Sequence, residues 1–590
     1  MKGWMNKILQ INLTNCEQKE IMIDQKTREN FLGGRGLGVK LFTDISNTNI
    51  AAFDPNNPII FMTGPLTGTV LTSGRFQVIS RSPLTNTICD SSSGGMFGMK
   101  LKRAGYDGII FIGKSQKPVY IYITNNKVEL RDATHLWGKN THVTRKIISK
   151  EVSNSSSVTC IGQAGENKVL YAAIMNDKDR ATGRGGLGAV MGSKNLKALV
   201  ADGDKKIVIK YPGKLDEFKR TLTRLVKKNP VTGKLLPTLG TSVLVNAINK
   251  HGMFPTKNFQ KGVFNDAEGI SGEKISENIL KKQSACYKCP IACGRSTKTN
   301  KNEGEGPEYE TVWAFGAQLG ISDLEAVTEA NYVCNEMGID TISAGNTLGC
   351  VMELSELGLY PQKIKWGDSS ILVDLVKEIG LNKGLGKELA LGSKRIAHKY
   401  GRPELAMQVK GLELPAYDPR GAQGQALAYA TSNRGGCHMR AYMIGPEILG
   451  EPVNLNRFST AGKAKMVSLY QDISAFVDST ILCRFLQFAI GIDNFAKIVN
   501  LVTGLELDGH KAIEIGTRIY NLEREFNTKA GFTRKDDTLP SRFLSQPLKE
   551  GASRNKVVEL NEMLDEYYKI RGWDNEGKPL KKTLKKLNLS

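Results

Sequence analysis

The hydrophobic periodicity of this 590-residue chain changes from a strand pattern to a helix pattern about one third of the way along. Up to about residue 208, short apolar runs that alternate with a period of two are separated by Gly-rich turns, which is typical of β-strands. Nine runs are predicted as strands: KILQINL, PIIFMTG, RFQVISRS, DGIIFIG, PVYIYIT, KVELRD, SSVTCIG, VLYAAIMN and KALVADG. The first third is therefore expected to form a sheet-rich domain.

From Lys214 onward, apolar residues recur every three to four positions, as in LDEFKRTLTRLVKK, DLEAVTEANYVCNEMG and HKAIEIGTRIYNLEREF. This period predicts amphipathic helices. The fold class expected is α+β, with a strand-rich domain over residues 1–208 followed by two mainly α-helical domains over 209–412 and 413–590. We place the second boundary at the loops LELPAYDPRGAQG and NRGGCHMR.

Composition indicates a large soluble protein. The hydrophobic content of 40% suffices for the cores of several domains. The N-terminal MKGWMNKILQINL lacks the apolar core of a signal peptide. The most apolar stretch, from Phe485 to Leu505, is interrupted by Asp493 and Lys497, so no transmembrane helix and no membrane insertion are expected.

The formal net charge of +22 bears on partners. Lys and Arg are dispersed, with one dense run in KPLKKTLKKL, and no helix-turn-helix, RNP or zinc-finger pattern accompanies them. A basic surface that attracts an acidic protein is therefore favoured over nucleic-acid binding. A nucleic-acid-associated iron–sulfur protein stays as a rival hypothesis, and it predicts tight polynucleotide binding.

Three of the ten cysteines form a C-x2-C-x3-C motif at Cys286, Cys289 and Cys293. Short loops of this kind direct several thiolates toward one place, as in iron–sulfur clusters, which usually take a fourth cysteine from elsewhere. Cys483 is the candidate for that ligand. A structural zinc site is the alternative, although zinc motifs normally come as two short-spaced pairs. Such a cluster favours a reducing compartment, so a cytoplasmic location is expected.

Two Gly-rich loops, SSSGGMFG (91–98) and RATGRGGLGAVMG (180–192), have the composition of phosphate-binding loops. Backbone amides without bulky side chains can approach an anion, and Arg75, Arg180 and Arg184 add guanidinium groups. The second loop superficially matches a dinucleotide fingerprint, but it lies inside a strand-rich region rather than a βαβ unit. Structural turns are the alternative interpretation; the three arginines favour a bulky phosphorylated cofactor.

The order of GPLTGT, SPLTNT, AGYDGI, GRGGLGAVMGSKNLKA, CPIACGR, EGPEYE, LPAYDPRGA, NRGGCH and a late RGW resembles the tungsten-dependent aldehyde:ferredoxin oxidoreductase family over essentially the whole chain. The resemblance implies oxidation of aldehydes to carboxylic acids at a tungsten held by two pterins (tungstopterin). It also implies Mg²⁺ between the pterin phosphates, a [4Fe–4S] cluster and an acidic ferredoxin as electron acceptor. No side chain is expected on the tungsten.

Carried over residue by residue, the resemblance assigns the cluster to Cys286, Cys289, Cys293 and Cys483. It implies the following cofactor-binding residues: Arg75, Ser92, Gly94, Arg180, Ala181, Gly183, Arg184, Asn335, Ile339, Asp340, Arg434, Arg440, Asp478, Leu482 and Arg484.

The chain departs from the family pattern at several of these positions. Ser92 stands where a magnesium-ligating Asn is usual, Asn335 replaces an Asp, Ile339 a Leu and Arg440 a Lys. A neutral Asn335 binds a pterin NH group less strongly than a carboxylate does, because charge-assisted hydrogen bonds are stronger.

A further departure concerns subunit contacts. Glu329-Ala-Asn-Tyr332 stands where the family archetype has Glu-x-x-His on an iron between two subunits. The expectation is therefore that no iron bridges two subunits, and that any homodimer forms without it.

Glu310 and His438 are the candidate catalytic residues. Taken alone, Glu310 in GPEYE reads as a solvated carboxylate and His438 in RGGCH as a satisfied core histidine. The resemblance places both beside the metal in an apolar pocket. There a carboxylate with a raised pKa accepts a proton, and the histidine orients the carbonyl or shuttles the proton.

Two alternatives remain at this point. One is a related tungsten enzyme acting on another substrate, such as a carboxylic acid or acyl thioester in the reductive direction. The other is a non-catalytic Fe–S electron-transfer subunit. Only the departures from the family pattern at Ser92 and Asn335 support it.

Overall fold

The computed structural model describes residues 2–125 and 127–589. The first sheet has six strands in the order β2-β1-β6-β3-β4-β5, and only the β1–β6 pair is parallel. Its strands are β1 Ile8–Asn12, β2 Glu17–Ile21, β3 Ile59–Met62, β4 Phe76–Arg81, β5 Ile88–Ser93 and β6 Gly108–Ile112.

A second six-stranded sheet has the order β11-β10-β9-β12-β7-β8, with β7 and β12 parallel. Its strands are β7 Val119–Thr124, β8 Val128–Asp132, β9 Ser157–Cys160, β10 Ile174–Asn176, β11 Arg180–Thr182 and β12 Leu196–Asp202. One apolar cluster contains buried residues of both sheets, among them Phe61 and Ile121, and of the helices between them, Phe97 and Val190. The two sheets therefore share a core.

Each of the nine predicted strand segments contains a strand, and the α+β fold class is confirmed. Three further strands carry little apolar alternation. Strand β2 (EQKEI) is a mostly exposed edge, β5 (ICDSSS) is buried but polar, and β11 (RAT) has three residues. The first third also contains helices, at Gln25–Phe31, Gly34–Ile45, Phe97–Ala104, Thr141–Glu151, Gln163–Glu166 and Leu187–Ser193.

Beyond residue 208 the described chain is mainly helical. Its α-helices are Pro212–Lys228, Leu236–Leu239, Leu244–Lys250, Gly272–Asn278, Tyr309–Phe315, Leu324–Met337, Thr341–Glu356, Leu372–Leu381, Gly386–Leu389, Ser393–Lys399, Gln423–Thr431, Lys463–Thr480, Ile492–Thr503, Gly509–Lys529, Ser541–Ser545, Leu560–Arg571 and Lys581–Lys586. Two small sheets accompany them: β13 Leu280–Ser284, β14 Gly294–Lys298 and β15 Glu303–Glu305, then β16 Gln408–Val409 and β17 Leu412–Glu413.

Capping residues set the ends of the helices nearest the site. Asp323 accepts a hydrogen bond from the Ala326 N–H at the start of Leu324–Met337, which ends at Gly338 in the left-handed conformation. Asp340 then caps Thr341–Glu356 by accepting from the Ile342 N–H. This tight helix–helix junction brings Asp340 against the second sheet, where Ile339 bridges to Ala172.

The C-terminal helices pack back onto the N-terminal sheet. Buried residues of Gly34–Ile45, Lys463–Thr480, Ile492–Thr503 and Gly509–Lys529 belong to one apolar cluster with strand residues such as Ile60 and Ile79. No helix within the described residues is long and apolar enough to cross a membrane.

Candidate active site

The cysteine motif lies in the loop between β13 and β14, and this loop closes one end of a cavity of about 310 Å³. Twelve of the predicted site residues line this cavity, which we call the cofactor cavity: Arg75, Gly94, Arg180, Ala181, Gly183, Cys286, Cys289, Cys293, Asn335, Ile339, Asp340 and Cys483. Cys483, about 190 positions downstream of Cys293, therefore lies beside the other three thiols as the fourth-ligand hypothesis requires.

The four thiols lie close to one another. Burial, followed by the nearby Cys483 thiol, raises the pKa of Cys289 to about 11. Across residues 2–125 and 127–589, no three Cys, His, Asp or Glu side chains converge closely enough to hold one metal ion. All ten cysteines are free of disulfides.

The Gly-rich loops approach the cavity from paired strand ends. Arg75 and Gly94 flank the Phe76–Ser93 end of the β4–β5 pair. A Cβ on Gly94 would lie 2.6 Å from the Cys286 Sγ, so only glycine fits there. A Cβ on Gly183 would meet no atom within 4 Å, which leaves backbone accessible to a ligand.

Arg75 connects the phosphate loop to the cluster. Its Nε donates to the Ser92 Oγ at 3.0 Å, and its Nη1 lies 4.0 Å from the Cys483 Sγ. Ser92 itself is absent from the cavity wall. Ser92 thus already accepts one hydrogen bond from within the chain.

The other two loop arginines have protein partners. Arg180 lines the cavity and pairs with Glu305 at 2.9 Å. The Arg184 guanidinium donates to Asp340, to the Gly436 carbonyl and to the Glu413 carbonyl at 2.7–3.1 Å, and it does not line the cavity. A contact of this guanidinium with a phosphate stays a prediction; in the structure Arg184 joins three chain segments.

A buried ion network holds most of the remaining candidates. Asp478 accepts from Arg440 Nη1 at 2.8 Å and lies 3.5 Å from Arg484 Nη1. Arg434 Nη1 donates to the Asp90 carbonyl at 2.5 Å. None of these residues lines the cofactor cavity. Leu482 is buried in the apolar cluster that also contains Ile60 and Ile79.

This region also holds buried polar atoms without a partner among the described residues, namely Arg434 Nε, Arg440 Nε and Asn176 Oδ1. Buried donors and acceptors are normally satisfied, so unsatisfied ones indicate a missing ligand. Donors of this kind complement the ring acceptors of a pterin. The residues present fit the cofactor that the sequence implied.

Glu310 and His438 lie together, although the chain separates them by more than a hundred residues. Glu310 is the second residue of helix Tyr309–Phe315, and its Oε2 accepts from the Ala416 N–H at 2.9 Å. Its Oε1 lies 3.6 Å from the His438 Nε2. That separation is too long for a direct hydrogen bond, so both atoms remain free to bond a third group.

Burial shifts both pKa values toward the neutral forms. It raises the pKa of Glu310 to about 8, against smaller opposing effects of the Ala416 N–H and Arg184. Burial, with help from Arg184 and Arg434, lowers the pKa of His438 well below its usual value. A carboxyl group poised near neutral pH beside a neutral imidazole is a suitable acid–base pair.

A second cavity of about 400 Å³, which we call the apolar cavity, opens on this pair. Its wall is mostly aliphatic and aromatic and includes Tyr442, Phe488 and Phe495. Glu308 and Phe485 line both this cavity and the cofactor cavity. A small apolar substrate bound here would therefore reach Glu310, His438 and the cofactor cavity together.

Sequence reasoning missed several residues of this site. Tyr417 and Tyr442 pack on the His438 ring, with centroids 5.7 and 6.2 Å away. Asp90 lies in β5, where its Oδ2 is 3.0 Å from Arg440 Nη2, and Arg35 pairs with Glu523 at 2.6 Å. Asp90 could have been recognised from its position in ICDSSSGG, where it directly precedes the Gly-rich loop 91–98.

Glu329 and Tyr332 are occupied by contacts within the chain. The Glu329 carboxylate accepts from Thr299 Oγ1 and, at 2.7 Å, from Asn302 Nδ2. The Tyr332 hydroxyl bonds Thr297 Oγ1 at 2.7 Å. Both side chains are buried and tie helix Leu324–Met337 to the β14–β15 hairpin.

We predict that purified protein carries no metal between two copies of Glu329. The carboxylate already has two donors, and a neutral phenol is a poor replacement for imidazole on Fe(II). Iron analysis of the wild type and of Glu329→Gln should give the same iron per chain. A loss of about half an iron per chain in Glu329→Gln, without loss of the cluster signal, would identify a shared iron and refute this prediction.

The comparisons with known proteins extend over the whole chain. Residues 8–203 match the family model for the aldehyde ferredoxin oxidoreductase N-terminal domain, and residues 217–589 match that for its domains 2 and 3. The tungsten-containing aldehyde ferredoxin oxidoreductase of Pyrococcus furiosus is 46% identical over 602 residues, covering all of both chains. That of Thermococcus kodakarensis is 46% identical over 98% of each chain.

More distant similarity comes from two other proteins. The WOR-like subunit of aliphatic sulfonate oxidoreductase from Pyrococcus furiosus is 30% identical, covering all of this chain and 97% of its own. The solved active-site complex BamBC of benzoyl coenzyme A reductase, in complex with 1,5-dienoyl-CoA, has a TM-score of 0.87 at 26% identity and covers all of this chain.

A strand-rich base with a cysteine-bounded cofactor cavity and an adjoining acid–base pocket defines an oxidoreductase. With two matching family models and full-length relatives, the chain belongs to the aldehyde ferredoxin oxidoreductase family.

Proposed function

We propose that this protein oxidises aldehydes to carboxylic acids at a tungsten bis-pterin centre and passes the electrons through a [4Fe–4S] cluster to ferredoxin. The observation that carries the proposal is the adjacency of two cavities: Glu310 and His438 face the apolar one, four cysteines bound the other, and Glu308 and Phe485 line both. The activity for which the family is named joins these parts into one reaction.

Different residues of the chain would hold the different cofactors. Cys286, Cys289, Cys293 and Cys483 would bind the cluster irons. The backbone at Gly94 and Gly183, with Arg75 and Arg180, would hold pterin phosphates. Arg434 and Arg440 do not line the cofactor cavity, but each has a buried Nε without a partner among the described residues, which makes them the candidate donors to the rings. We also propose a Mg²⁺ at the phosphates that keeps most of its waters, since Ser92 is already bonded by Arg75.

The reaction needs an electron sink and a base. Aldehyde and water give acid, two protons and two electrons; when bound, the tungstopterin would supply the two-electron acceptor and the cluster would export electrons singly. Glu310 Oε1, which has no partner in the chain, is placed to accept a proton from the hydroxyl of the hydrated aldehyde. His438 Nε2, 3.6 Å from it, would donate to the second hydroxyl oxygen of the hydrate and orient it.

The apolar cavity also determines what binds. Tyr417 and Tyr442 enclose His438, and the aliphatic wall excludes water from the pair. Excluding water keeps the Glu310 pKa raised and strengthens its hydrogen bonds. Aromatic and aliphatic aldehydes are therefore the proposed substrates, in preference to phosphorylated or sugar aldehydes.

Reduction of an acyl thioester is a second candidate function, favoured by the full-length structural similarity to the benzoyl coenzyme A reductase complex. Sequence identity is 46% to aldehyde oxidoreductases against 26% to that complex, which favours the aldehyde reaction. An anaerobic screen of aldehydes with a viologen acceptor, run beside benzoyl-CoA with a low-potential donor, tests both. Turnover with the thioester and none with any aldehyde would reverse the choice.

The pH profile should report Glu310. The carboxylate is the active form, so the ionised fraction and the rate rise as the pH increases through the Glu310 pKa of about 8. Below that pH, kcat/KM should fall about tenfold per pH unit. The measurement is kcat/KM for an aldehyde between pH 6 and 10, and a profile that falls as the pH rises through this range would contradict a base with this pKa.

We propose the cytoplasm as the location of this protein. Ten disulfide-free cysteines and an oxidisable cluster suit a reducing cytoplasm. The Glu329 carboxylate already accepts hydrogen bonds from within the chain, which is compatible with a homodimer that forms by packing alone.

A further inference from the structure

Helix Pro212–Lys228 presents a basic outer face. Its buried residues Leu215, Phe218, Leu222 and Val226 pack inward, at the helical spacing of an amphipathic helix. The helix carries six basic and two acidic residues, for a net charge of +4. Its exposed basic residues are Lys214, Arg220, Arg224, Lys227 and Lys228.

Most of this positive charge is unneutralised. Lys219 pairs with Asp216 at 2.9 Å on the helix surface. Within the part of the chain that the structure describes, Arg220, Arg224 and Lys227 have no ion pair. The helix therefore keeps a positive field along its exposed face.

The inner face of the helix shares an apolar cluster with the cysteine loop. Leu215 and Leu222 belong to the same apolar cluster as Ile291, and the partly buried Cys289 and Cys293 pack on that cluster. The loop reaches the surface at Lys288, which is exposed and whose carbonyl accepts from the Thr72 N–H at 3.2 Å.

Lys288 lies near the N-terminal half of the helix. The hydrogen bond from Lys219 lowers the pKa of Asp216, and Arg220 and Lys288 add smaller effects in the same direction. At the other end, Asn229 Nδ2 donates to the Phe488 carbonyl at 2.7 Å, in the 3₁₀ segment that follows Cys483. The helix and its C-cap residue Asn229 therefore lie close to both chain segments that carry the cluster cysteines.

We propose that the basic ridge, defined as Lys214, Arg220, Arg224, Lys227, Lys228, Lys234 and Lys288, is the docking surface for an acidic electron-carrier protein. This inference rests on the proposed function, because it assumes that electrons leave from the cysteine cluster. A carrier seated on the ridge covers the exposed edge of the cysteine loop, and its negative charge complements the ridge.

Two other basic regions are less suited to this role. Arg484 adjoins Cys483, but its side chain is 10% exposed, lines the apolar cavity and bonds Ser474 and Gln487. It is therefore unavailable to a docked partner. Helix Lys581–Lys586 is exposed and basic, and it provides a control surface.

The test compares two triple charge reversals in the holoenzyme. The ridge variant is R220E/R224E/K227E, and the control is K581E/K582E/K585E, which changes the net charge equally. Both leave the cysteine loop intact, and iron content verifies this. We measure the KM for a purified acidic ferredoxin, the rate with a cationic viologen, and the Kd for oxidised ferredoxin by calorimetry at low and high salt.

The ridge variant should raise the ferredoxin KM and Kd at least about tenfold at low salt, because steering and pairing are electrostatic. The viologen rate should change little, and the wild-type ferredoxin rate should fall as salt rises past 0.15 M, where the Debye length is about 8 Å. The control should resemble the wild type.

Equal losses in both variants would assign the effect to net charge and overturn the proposal, as would no loss in either. If the ridge variant loses affinity for a single-stranded oligonucleotide but not for ferredoxin, the ridge is a nucleic-acid surface and the proposal is wrong. Failure of the proposed function has a separate signature, since the wild type would then bind ferredoxin without oxidising aldehydes with viologen.

Discussion

Glu310→Gln should reduce the rate of aldehyde oxidation by at least about a hundredfold while leaving tungsten and iron content unchanged. The amide keeps the size of the side chain and can still accept from the Ala416 N–H, but it cannot take up a proton. The rising limb of the pH profile near pH 8 should disappear with it. The measurement is kcat with a viologen acceptor at matched tungsten loading.

Glu325→Gln is the matched control for this substitution. Glu325 lies in the first turn of helix Leu324–Met337, partly exposed and bonded to Asn300, and it lines neither cavity. We expect wild-type turnover from it. Wild-type turnover in Glu310→Gln at full tungsten loading would remove Glu310 from the reaction.

Cys483→Ala should abolish the cluster signal or convert the cluster to a three-iron form. Cys483 is the candidate fourth ligand, and alanine leaves one iron without a thiolate. Aldehyde oxidation should fall to background, because the two electrons then have no route out. The measurements are the iron content, expected to fall from about four per chain, and the electron paramagnetic resonance of the reduced protein.

Cys16→Ala provides the matched comparison, since Cys16 is an exposed thiol on the first sheet's edge loop. Its iron content and spectrum should equal those of the wild type. A normal reduced-cluster spectrum in Cys483→Ala would exclude Cys483 as a ligand, despite its place beside the other cysteines.

Much of the fold was predictable because its elements have simple periodicity. Buried strands such as β3 (IIFM) and β6 (GIIFI) are apolar runs between turns, and their prediction holds. Strand β5 was missed because its sequence, ICDSSS, is mostly polar, although the strand is mostly buried and its Asp90 belongs to the ion network. Polar burial of this kind leaves no hydrophobic pattern in a sequence.

The candidate site was predictable where a short motif carries its own geometry. The C-x2-C-x3-C loop and the Gly-rich loops are local, and the structure brings them to one cavity. Glu310 and His438 were distinguished only through the family resemblance. Burial raises the pKa of Glu310 and lowers that of His438. The local sequences 309–315 and 437–438 do not by themselves determine how deeply these side chains are buried.

Side-chain direction was the least predictable property. Arg184 and Arg484 both occur in motifs that suggest ligand contact, yet both guanidinium groups bond within the protein. The partners come from segments 156 to 252 positions away in the case of Arg184. Such long-range pairing depends on the assembled fold, and no local spacing encodes it.

The central claim is that aldehyde oxidation by this chain occurs at a tungsten centre beside an iron–sulfur cluster. The most direct measurement is tungsten and iron per chain, by elemental analysis of anaerobically purified fractions, plotted against the specific rate of aldehyde oxidation with viologen in the same fractions. The account predicts a rate proportional to tungsten, approaching one tungsten and about four irons per chain at full activity. Fractions that are fully loaded with tungsten and iron but oxidise no aldehyde, or active fractions that contain no tungsten, would contradict it.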